Sequence, residues 1–229
     1  MKRNSVCWNI TSRCNENCRF CYRIMCTKEN TYEQNDRILD LLIELKIDKI
    51  TWTGGEALLY PHLFDLMKKA HYNNIKNNII TNGKLLNPNI IDEIEEYTDH
   101  ITLSLDSLDD NVNDCLGRGI EHSKHILELM EYLKNKDIIL KLNSVVTKQN
   151  VNNINEIAQV VSIYKIQRWK LFKFISLRGK SVKNKNEFDV ENAEFENLIN
   201  EIKKQRLNCQ VIECKEKEIE ENYLLINPI

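Results

Sequence analysis

The sequence lacks an excess of charge of either sign, a long apolar run near its start, and any repeat, linker or low-complexity tract. Its 32 lysines and arginines nearly balance 34 aspartates and glutamates, for a net charge of −2. This balance argues against a nucleic-acid partner bound through bulk positive charge. The opening residues MKRNSVCWNIT hold too short an apolar run for a signal peptide or a membrane span. We therefore expect a cytoplasmic protein without a membrane partner, folded as one domain over 1–229.

Cysteine is the most informative residue among those present. The chain has eight cysteines, and in a reduced cytosol close cysteine spacings indicate metal ligation before disulfides. Cys14, Cys18 and Cys21 lie together in the run TSRCNENCRFCYR. Three thiolates can hold three corners of a [4Fe–4S] cube and leave the fourth iron open to a reactant. The alternative is a zinc site completed by Cys7 or Cys26.

Short β-branched runs alternate with amphipathic segments, which is typical of repeated β-α units around a parallel sheet. The predicted strands are 6–10, 49–53, 78–81, 101–105, 138–146 and 168–175. About six β-α units are too few for a closed eight-stranded barrel, so we expect an α/β fold with a partial (βα)6 TIM-type barrel. The core is expected at about 5–176, with segment 177–229 packing on the barrel or closing it, and 184–192 as a charged loop.

Polar motifs follow several of these strands, and parallel barrels gather their reactive residues at the carboxyl ends of strands. We expect every candidate motif to lie there. Gly54, Gly55 and Glu56 follow the second strand, and paired glycines let the backbone approach a ligand closely. Asn82 and Gly83 end the third strand and are either a simple turn or part of the site.

A second group of motif residues consists of Ser104 and Asp106, at the end of the fourth strand, and Arg118, which stands between two glycines. A guanidinium makes two parallel hydrogen bonds to a carboxylate, and the flanking glycines leave room for one. The alternative is that Arg118 forms a surface ion pair of little energetic weight.

The spacing C-x3-C-x2-C followed by the aromatic Tyr22 resembles the signature of the radical S-adenosylmethionine (radical SAM) enzymes. This resemblance implies a [4Fe–4S] cluster whose open iron binds S-adenosylmethionine. It also implies that one electron, from a flavodoxin- or ferredoxin-type donor, cleaves S-adenosylmethionine to a 5′-deoxyadenosyl radical, with the GGE motif contacting the methionine amino group. The cofactor-binding residues that the resemblance implies are Tyr22, Gly54, Gly55, Glu56, Ser104 and Arg118.

Four further runs, SLDSLDD, LGRG, KLNSVVTKQNV and RWKLF, resemble those of the viperin family in order and spacing. The likeness extends from Val6 to Pro228 and implies a lyase of antiviral defence that acts on a nucleoside triphosphate, CTP, UTP or GTP. The radical would remove the ribose 4′ hydrogen, and loss of the 3′ hydroxyl as water would give a 3′-deoxy-3′,4′-didehydro nucleotide. By position, the implied substrate-binding residues are Lys49, Thr53, Lys141, Asn143, Arg168 and Lys170, and the implied catalytic residue is Tyr223.

The chemistry of these substrate-binding residues suits a triphosphate, which carries about four negative charges. Lys141 and Asn143 are two residues apart on a strand and therefore share a face, as do Arg168 and Lys170. Together they predict a local basic pocket in a chain of acidic net charge. The alternative is that each lysine is simply solvated.

The sequence departs from the viperin pattern at two positions of the first strand, where Cys7 replaces Asn and Asn9 replaces His. It also ends at Ile229, before the segment with which family members close the pocket, so we expect either a truncated chain or a more open site. Tyr223 is equally compatible with a buried core position. Two other functions stay open: a radical SAM enzyme that matures a peptide or cofactor, and a non-catalytic metal-binding module.

Overall fold

The computed structural model describes residues 4–215 and 224–229. They form an eight-stranded sheet in the order β7-β6-β5-β4-β3-β2-β1-β8, with every neighbouring pair parallel. The strands are β1 Ser5–Thr11, β2 Lys49–Gly54, β3 Lys76–Thr81, β4 His100–Ser104, β5 Ile139–Val146, β6 Arg168–Lys173, β7 Gln210–Cys214 and β8 Leu224–Ile226. The α-helices are α1 Tyr32–Glu44, α2 Leu63–Tyr72, α3 Pro88–Ile94, α4 Asp110–Leu116, α5 His122–Leu133, α6 Ile157–Ile163, α7 Lys180–Lys183, α8 Lys185–Phe188 and α9 Asn192–Lys204. Within the described ranges, none of these helices is long and apolar enough to cross a membrane.

The prediction of an α/β partial barrel is confirmed by this curled, parallel half-barrel. All six predicted strands are present as β1 to β6. The sequence analysis does not predict β7 and β8, which pair with β6 and β1 and so form the two edges of the sheet. Segment 177–229 therefore supplies both edge strands.

The prediction of a loop over 184–192 is wrong in part, because helix α8 lies within it. Phe188 is fully buried and Val190 is 2% exposed, so this charged stretch still contributes two side chains to the interior. Asn184 Nδ2 donates a hydrogen bond of 2.8 Å to the carbonyl oxygen of Arg19. The segment thus packs against the loop that carries the three cysteines.

The sheet has an apolar outer face and a polar inner face, because successive side chains alternate along each strand. Trp8, Trp52 and Trp169 point outward and are fully buried in one core with apolar side chains of the helices. The rings of Trp8 and Trp52 stack with centroids 5.2 Å apart. The alternating inward positions carry mainly polar residues, among them Asn9, Thr51, Thr53, Asn78 and Asn143.

Residues 12–31, here called the cysteine loop, connect β1 to α1. The loop ends at a capping box, in which Thr31 Oγ1 accepts from the Gln34 amide and Gln34 Oε1 accepts from the Thr31 amide at 2.8 Å. Near that end, Glu29 accepts a hydrogen bond of 2.9 Å from Thr11 Oγ1. The two ends of the loop are therefore fixed to each other and to the first strand.

Candidate active site

The inner face of the sheet encloses a cavity of about 470 Å³. Its walls come from strands β1 to β6, the cysteine loop and the residues that follow β6 and β8. The predicted site residues that line it are Cys21, Tyr22, Lys49, Thr53, Gly54, Ser104, Arg118, Asn143, Arg168 and Lys170. Cys14, Cys18, Gly55, Glu56 and Lys141 are not part of this lining, and Tyr223 lies outside the described residues. The roles of all these residues stay predictions.

Cys14, Cys18 and Cys21 are free thiols, as are the five other cysteines. Cys18 is 8% exposed, whereas Cys14 and Cys21 are half-buried. Burial raises the pKa of the Cys18 thiol to about 12 and raises that of Cys14. Because metal ligands are thiolates, loading this loop with metal must release protons.

The thiol donors of the loop fit an iron–sulfur cluster. Across residues 4–215 and 224–229, no three His, Cys, Asp or Glu side chains converge to hold one metal ion. A cluster binds each thiolate to a different iron, and Cys14, Cys18 and Cys21 supply three free thiols for three of its irons.

A buried ion network joins the cysteine loop to the end of β4. Arg118 Nε donates to Asp106 Oδ2 and Arg118 Nη1 donates to Glu16 Oε2, each at 2.8 Å. The side chains of Arg118, Glu16 and Asp106 are 8%, 1% and 0% exposed. Burial alone would lower the pKa of Arg118, but Asp106 and Glu16 raise it well above its ordinary value. The alternative of a surface ion pair at Arg118 is therefore wrong.

The glycine before Arg118 brings the two segments close together. Gly117 ends α4 with φ of 81°, and a Cβ atom there would lie 2.7 Å from the Asn17 carbonyl oxygen. The Arg118 guanidinium lies 5.4 Å from the centre of the Phe20 ring, and Cys18 Sγ lies 3.4 Å from Glu16 Oε2. Arg118 thus fixes the loop from inside, next to a predicted cluster ligand.

The GGE motif packs on the start of the cysteine loop. A Cβ atom on Gly54 would lie 2.2 Å from the Thr11 carbonyl oxygen, and one on Gly55 would lie 2.0 Å from that of Arg13. These positions tolerate only glycine, because any side chain would collide with backbone. In the structure, the close approach that the paired glycines permit is to the chain that leads into Cys14.

Glu56 is 1% exposed and accepts hydrogen bonds from the amides of Asn82, at 2.8 Å, and Leu58, at 3.2 Å. Burial raises the pKa of its carboxyl group, although these donors oppose the shift. Asn82 Nδ2 in turn donates to Asn15 Oδ1 at 2.8 Å. Of the two interpretations left open for Asn82, the structure therefore favours a part of the site, since it links the GGE motif to the cysteine loop.

Basic side chains occupy the inner face at the opposite end of the barrel. The strand register sets Lys141 beside Arg168, and Asn143 beside Lys170. Lys141 is 5% exposed, and burial, followed by the charges of Arg168 and Lys49, lowers its pKa to about 7. Asn143, Arg168 and Lys170 line the cavity, and the alternative of a solvated lysine does not hold for Lys141.

The expectation that every motif lies at the carboxyl end of a strand is wrong for three residues. Lys49 and Arg168 are the first residues of β2 and β6, and Lys141 is near the start of β5. They lie deep in the half-barrel because their side chains point inward from the amino ends of the strands. The cavity therefore extends from the cysteine loop toward a cationic floor. This floor is here defined as Lys49, Arg168 and Lys170, which line the cavity, together with Lys141, which is not part of the lining but lies beside Arg168.

The two positions that depart from the viperin pattern both line the cavity. Asn9 Nδ2 donates to Asn227 Oδ1 at 3.0 Å, which joins the end of the chain to the first strand. Burial raises the pKa of Cys7 to about 11, against the influence of Lys170 and Lys49, so Cys7 is a neutral thiol. This wall of the cavity is polar but uncharged.

Three residues of this site, Glu16, His122 and Asn227, are not predicted from the sequence. Glu16 is read there only as part of the cysteine spacing, and its burial between Cys14 and Cys18 has no sequence signal. His122 Nε2 donates to the Ser104 carbonyl oxygen at 3.0 Å, and burial lowers the pKa of its ring. Asn227 could have been noticed as a polar residue beside a proline, but nothing in the sequence pairs it with Asn9.

Comparison with known proteins shows which family and which relatives the chain resembles. The family model described as "Radical SAM superfamily" matches residues 8–161, which is more than half of the chain. A protein of Flammeovirga pacifica named S-adenosylmethionine-dependent nucleotide dehydratase is 29% identical over 98% of this chain and 80% of its own length. A protein of the same name from Lacinutrix mariniflava is 27% identical over 98% of this chain, which spans about half (49%) of that relative.

Among solved structures, Streptococcus suis SuiB bound to S-adenosylmethionine has a TM-score of 0.76 at 19% identity, over 92% of this chain and 50% of SuiB. That likeness concerns the fold, and this chain spans half of SuiB. The predicted resemblance to radical SAM enzymes, with relatives named nucleotide dehydratases, is confirmed by these similarities. With a half-barrel, a loop that carries Cys14, Cys18 and Cys21, and a matching family description over residues 8–161, the chain belongs to the radical SAM superfamily, whose members use a [4Fe–4S] cluster and S-adenosylmethionine.

Proposed function

We propose that this chain is a nucleotide dehydratase of the viperin type, a lyase that acts on CTP, UTP or GTP. The cationic floor carries the proposal, because Lys49, Arg168 and Lys170 line the cavity and Lys141 lies beside Arg168, so that together they create a site for a polyanion. The names of the Flammeovirga and Lacinutrix relatives support the same substrate class. The product would be the 3′-deoxy-3′,4′-didehydro nucleotide.

Two cofactors would be held at the other end of the cavity. Cys14, Cys18 and Cys21 would ligate the cluster, and Tyr22 and Ser104 would contact S-adenosylmethionine from the cavity wall. When bound, these cofactors supply a 5′-deoxyadenosyl radical that removes the ribose 4′ hydrogen. Arg118, already bonded to Glu16 and Asp106, would orient the cofactor side of the cavity and keep the cysteine loop in place.

The depth of the half-barrel suits a nucleotide in one orientation. Val146, at the end of β5, lies five positions after Lys141, a length of about 17 Å at roughly 3.3 Å per residue. A triphosphate on the cationic floor would then leave its ribose nearer the cysteine loop. Thr53 and Asn143 line the wall between the two ends and would hold the substrate by hydrogen bonds.

For the cellular setting, we propose antiviral defence in the cytoplasm. The eight free thiols support a reducing compartment. The electron for the cluster would come from a flavodoxin- or ferredoxin-type carrier.

The proposal is tested by anaerobic reconstitution followed by incubation with S-adenosylmethionine, dithionite and each of the four nucleoside triphosphates. We expect at least one triphosphate to raise 5′-deoxyadenosine formation and to yield a nucleotide product lighter by one water. Release of 5′-deoxyadenosine that is indifferent to every nucleotide would contradict the proposal and favour a peptide- or cofactor-maturing enzyme instead.

A further inference from the structure

A second group of basic side chains lies on the segment that covers the cysteine loop, and one of them, Arg178, also lines the cavity. Residues 178–187 contain Arg178, Lys180, Lys183 and Lys185 against a single glutamate, in a chain whose net charge is −2. Lys183 and Lys185 are exposed. We call residues 177–187, together with Arg19, the basic rim.

The basic rim is attached directly to the part of the loop that carries two predicted cluster ligands. Arg19, which follows Cys18 in the chain, forms an ion pair of 2.6 Å with Glu187. The Asn184 side chain donates to the Arg19 carbonyl oxygen at 2.8 Å, and Lys180 Nζ donates to Asn17 Oδ1. A protein bound to the rim would therefore stand one layer of side chains from Cys18 and Cys21.

That layer is compact and apolar. Cys18, Phe20, Leu116, Phe174 and Phe188 form a buried cluster separate from the main core. The guanidinium of Arg19 lies 5.3 Å from the centre of the Phe188 ring. The rim therefore rests on a rigid base that is continuous with a cluster ligand, which suits electron transfer through packed protein.

The outer side of the rim combines charge with exposed apolar groups. Leu177 and Val182 are 42% and 52% exposed among the basic side chains. Exposed apolar residues bordered by charge mark surfaces that bind other proteins. The cavity side of the loop is reserved for S-adenosylmethionine and substrate, so a reductant too large to enter must approach from outside.

We propose that the basic rim is the docking surface for an acidic one-electron carrier protein that reduces the cluster. This inference rests on the donor class proposed above, and not on the identity of the substrate. One electron leaves the reduced carrier and one is gained by the cluster, with no atom transferred. Opposite charges steer such an encounter and fix its orientation, and the small interface of a redox pair makes the attraction sensitive to salt.

The test compares two double variants with the same change in charge. Lys183→Glu with Lys185→Glu reverses the rim, whereas Lys46→Glu with Lys204→Glu reverses two exposed lysines at the ends of α1 and α9. Binding of an oxidised, acidic flavodoxin is measured by surface plasmon resonance at low and high salt. We expect the rim variant to bind about tenfold or more weakly at low salt, with the difference shrinking as salt rises, and the control to bind like the wild type.

A second readout separates docking from damage to the site. With dithionite, which needs no docking surface, the rim variant should form 5′-deoxyadenosine at the wild-type rate, and with reduced flavodoxin it should be slower. Equal flavodoxin binding by both double variants would overturn the inference, as would a loss of dithionite-driven activity in the rim variant. If flavodoxin fails to bind the wild type at all, both the docking surface and the proposed donor class are contradicted. The nucleotide panel with dithionite still tests the proposed function independently.

Discussion

The two ends of the half-barrel differ in the charges that surround their buried basic side chains. At the cysteine loop, Arg118 has a carboxylate 2.8 Å away on each side, Glu16 and Asp106. At the cationic floor, Lys141 is buried close to further cations, and its pKa falls to about 7. A balanced network holds a loop in position without any ligand, whereas like charges held close together favour the binding of an anion. Buried basic residues thus support structure at one end and predict binding at the other.

The largest effect should come from Cys18→Ala, which removes a ligand at the cysteine-loop end. We expect no cluster absorbance and no 5′-deoxyadenosine, because two remaining thiolates do not hold a three-point cluster. Nucleotide affinity, measured by calorimetry on the same variant, should stay within about twofold because the floor is untouched. Cys26→Ala is the control and should retain the cluster. A Cys18→Ala protein that still binds four iron atoms would contradict the assignment.

A large loss of stability should follow from Arg118→Leu. The change leaves Glu16 and Asp106 buried without their cation, at a cost of about 3–5 kcal/mol. Urea denaturation of the metal-free protein measures the free energy of unfolding, so the cluster does not enter. Glu16→Gln, which keeps a hydrogen-bonding side chain of the same shape, should cost less. An Arg118→Leu protein as stable as the wild type would mean that the network does not hold the loop.

At the cationic floor, the double change Arg168→Ala with Lys170→Ala should weaken nucleotide triphosphate binding about 100-fold. Hydrogen bonds to charged groups contribute roughly 1.5–3 kcal/mol each, and about 1.4 kcal/mol is a factor of ten. The cluster spectrum should be unchanged. Lys76→Ala, an exposed lysine at the start of β3, is the matched control and should bind normally. Loss of the cluster spectrum in the double variant would show that these residues are structural.

The smallest effect is a pH dependence from Lys141. Its pKa of about 7 in the folded protein lies below its ordinary value of 10.5. Between these values the unfolded chain binds the proton and the folded chain does not, so this group makes the free energy of unfolding rise with pH. A bound triphosphate restores the proton, so affinity should fall by up to about tenfold per pH unit above pH 7.

Calorimetry in buffers of different ionisation enthalpy measures the accompanying proton uptake directly. Lys141→Met, which has a similar length and no charge, should bind weakly at every pH and take up no proton. A wild-type affinity that stays constant from pH 7 to 9 would contradict the assigned position of Lys141 in the floor.

The sequence predicts the parts of this fold that repeat. Strands β1 to β6 are found because β-branched runs alternate with helical stripes, and a pattern repeated six times is hard to mistake. Strands β7 and β8 have five and three residues and occupy the edges, where one side is not covered by a neighbour and the apolar signal is weak. The burial of Phe188 and Val190 is not predicted, because two apolar residues within a charged stretch do not form a periodic pattern.

The sequence also identifies the cysteines and the basic residues as candidate site residues. It does not predict the position of each basic residue along the depth of the half-barrel. Alternation places Lys141 and Arg168 on one face, yet only the register between β5 and β6 sets them side by side. Glu16 could not be predicted as a partner of Arg118, since 102 residues separate them in the chain. Contacts of that range depend on the closure of the whole sheet.

The central claim is that the floor binds the phosphates of a nucleotide while the cysteine loop serves the cofactors. Equilibrium binding of a nucleoside triphosphate, the monophosphate and the free nucleoside to the metal-free protein tests it most directly. We predict that affinity falls with each loss of charge, and that this ranking disappears in the Arg168→Ala, Lys170→Ala variant. Equal affinity for the triphosphate and the free nucleoside in the wild type would contradict the claim.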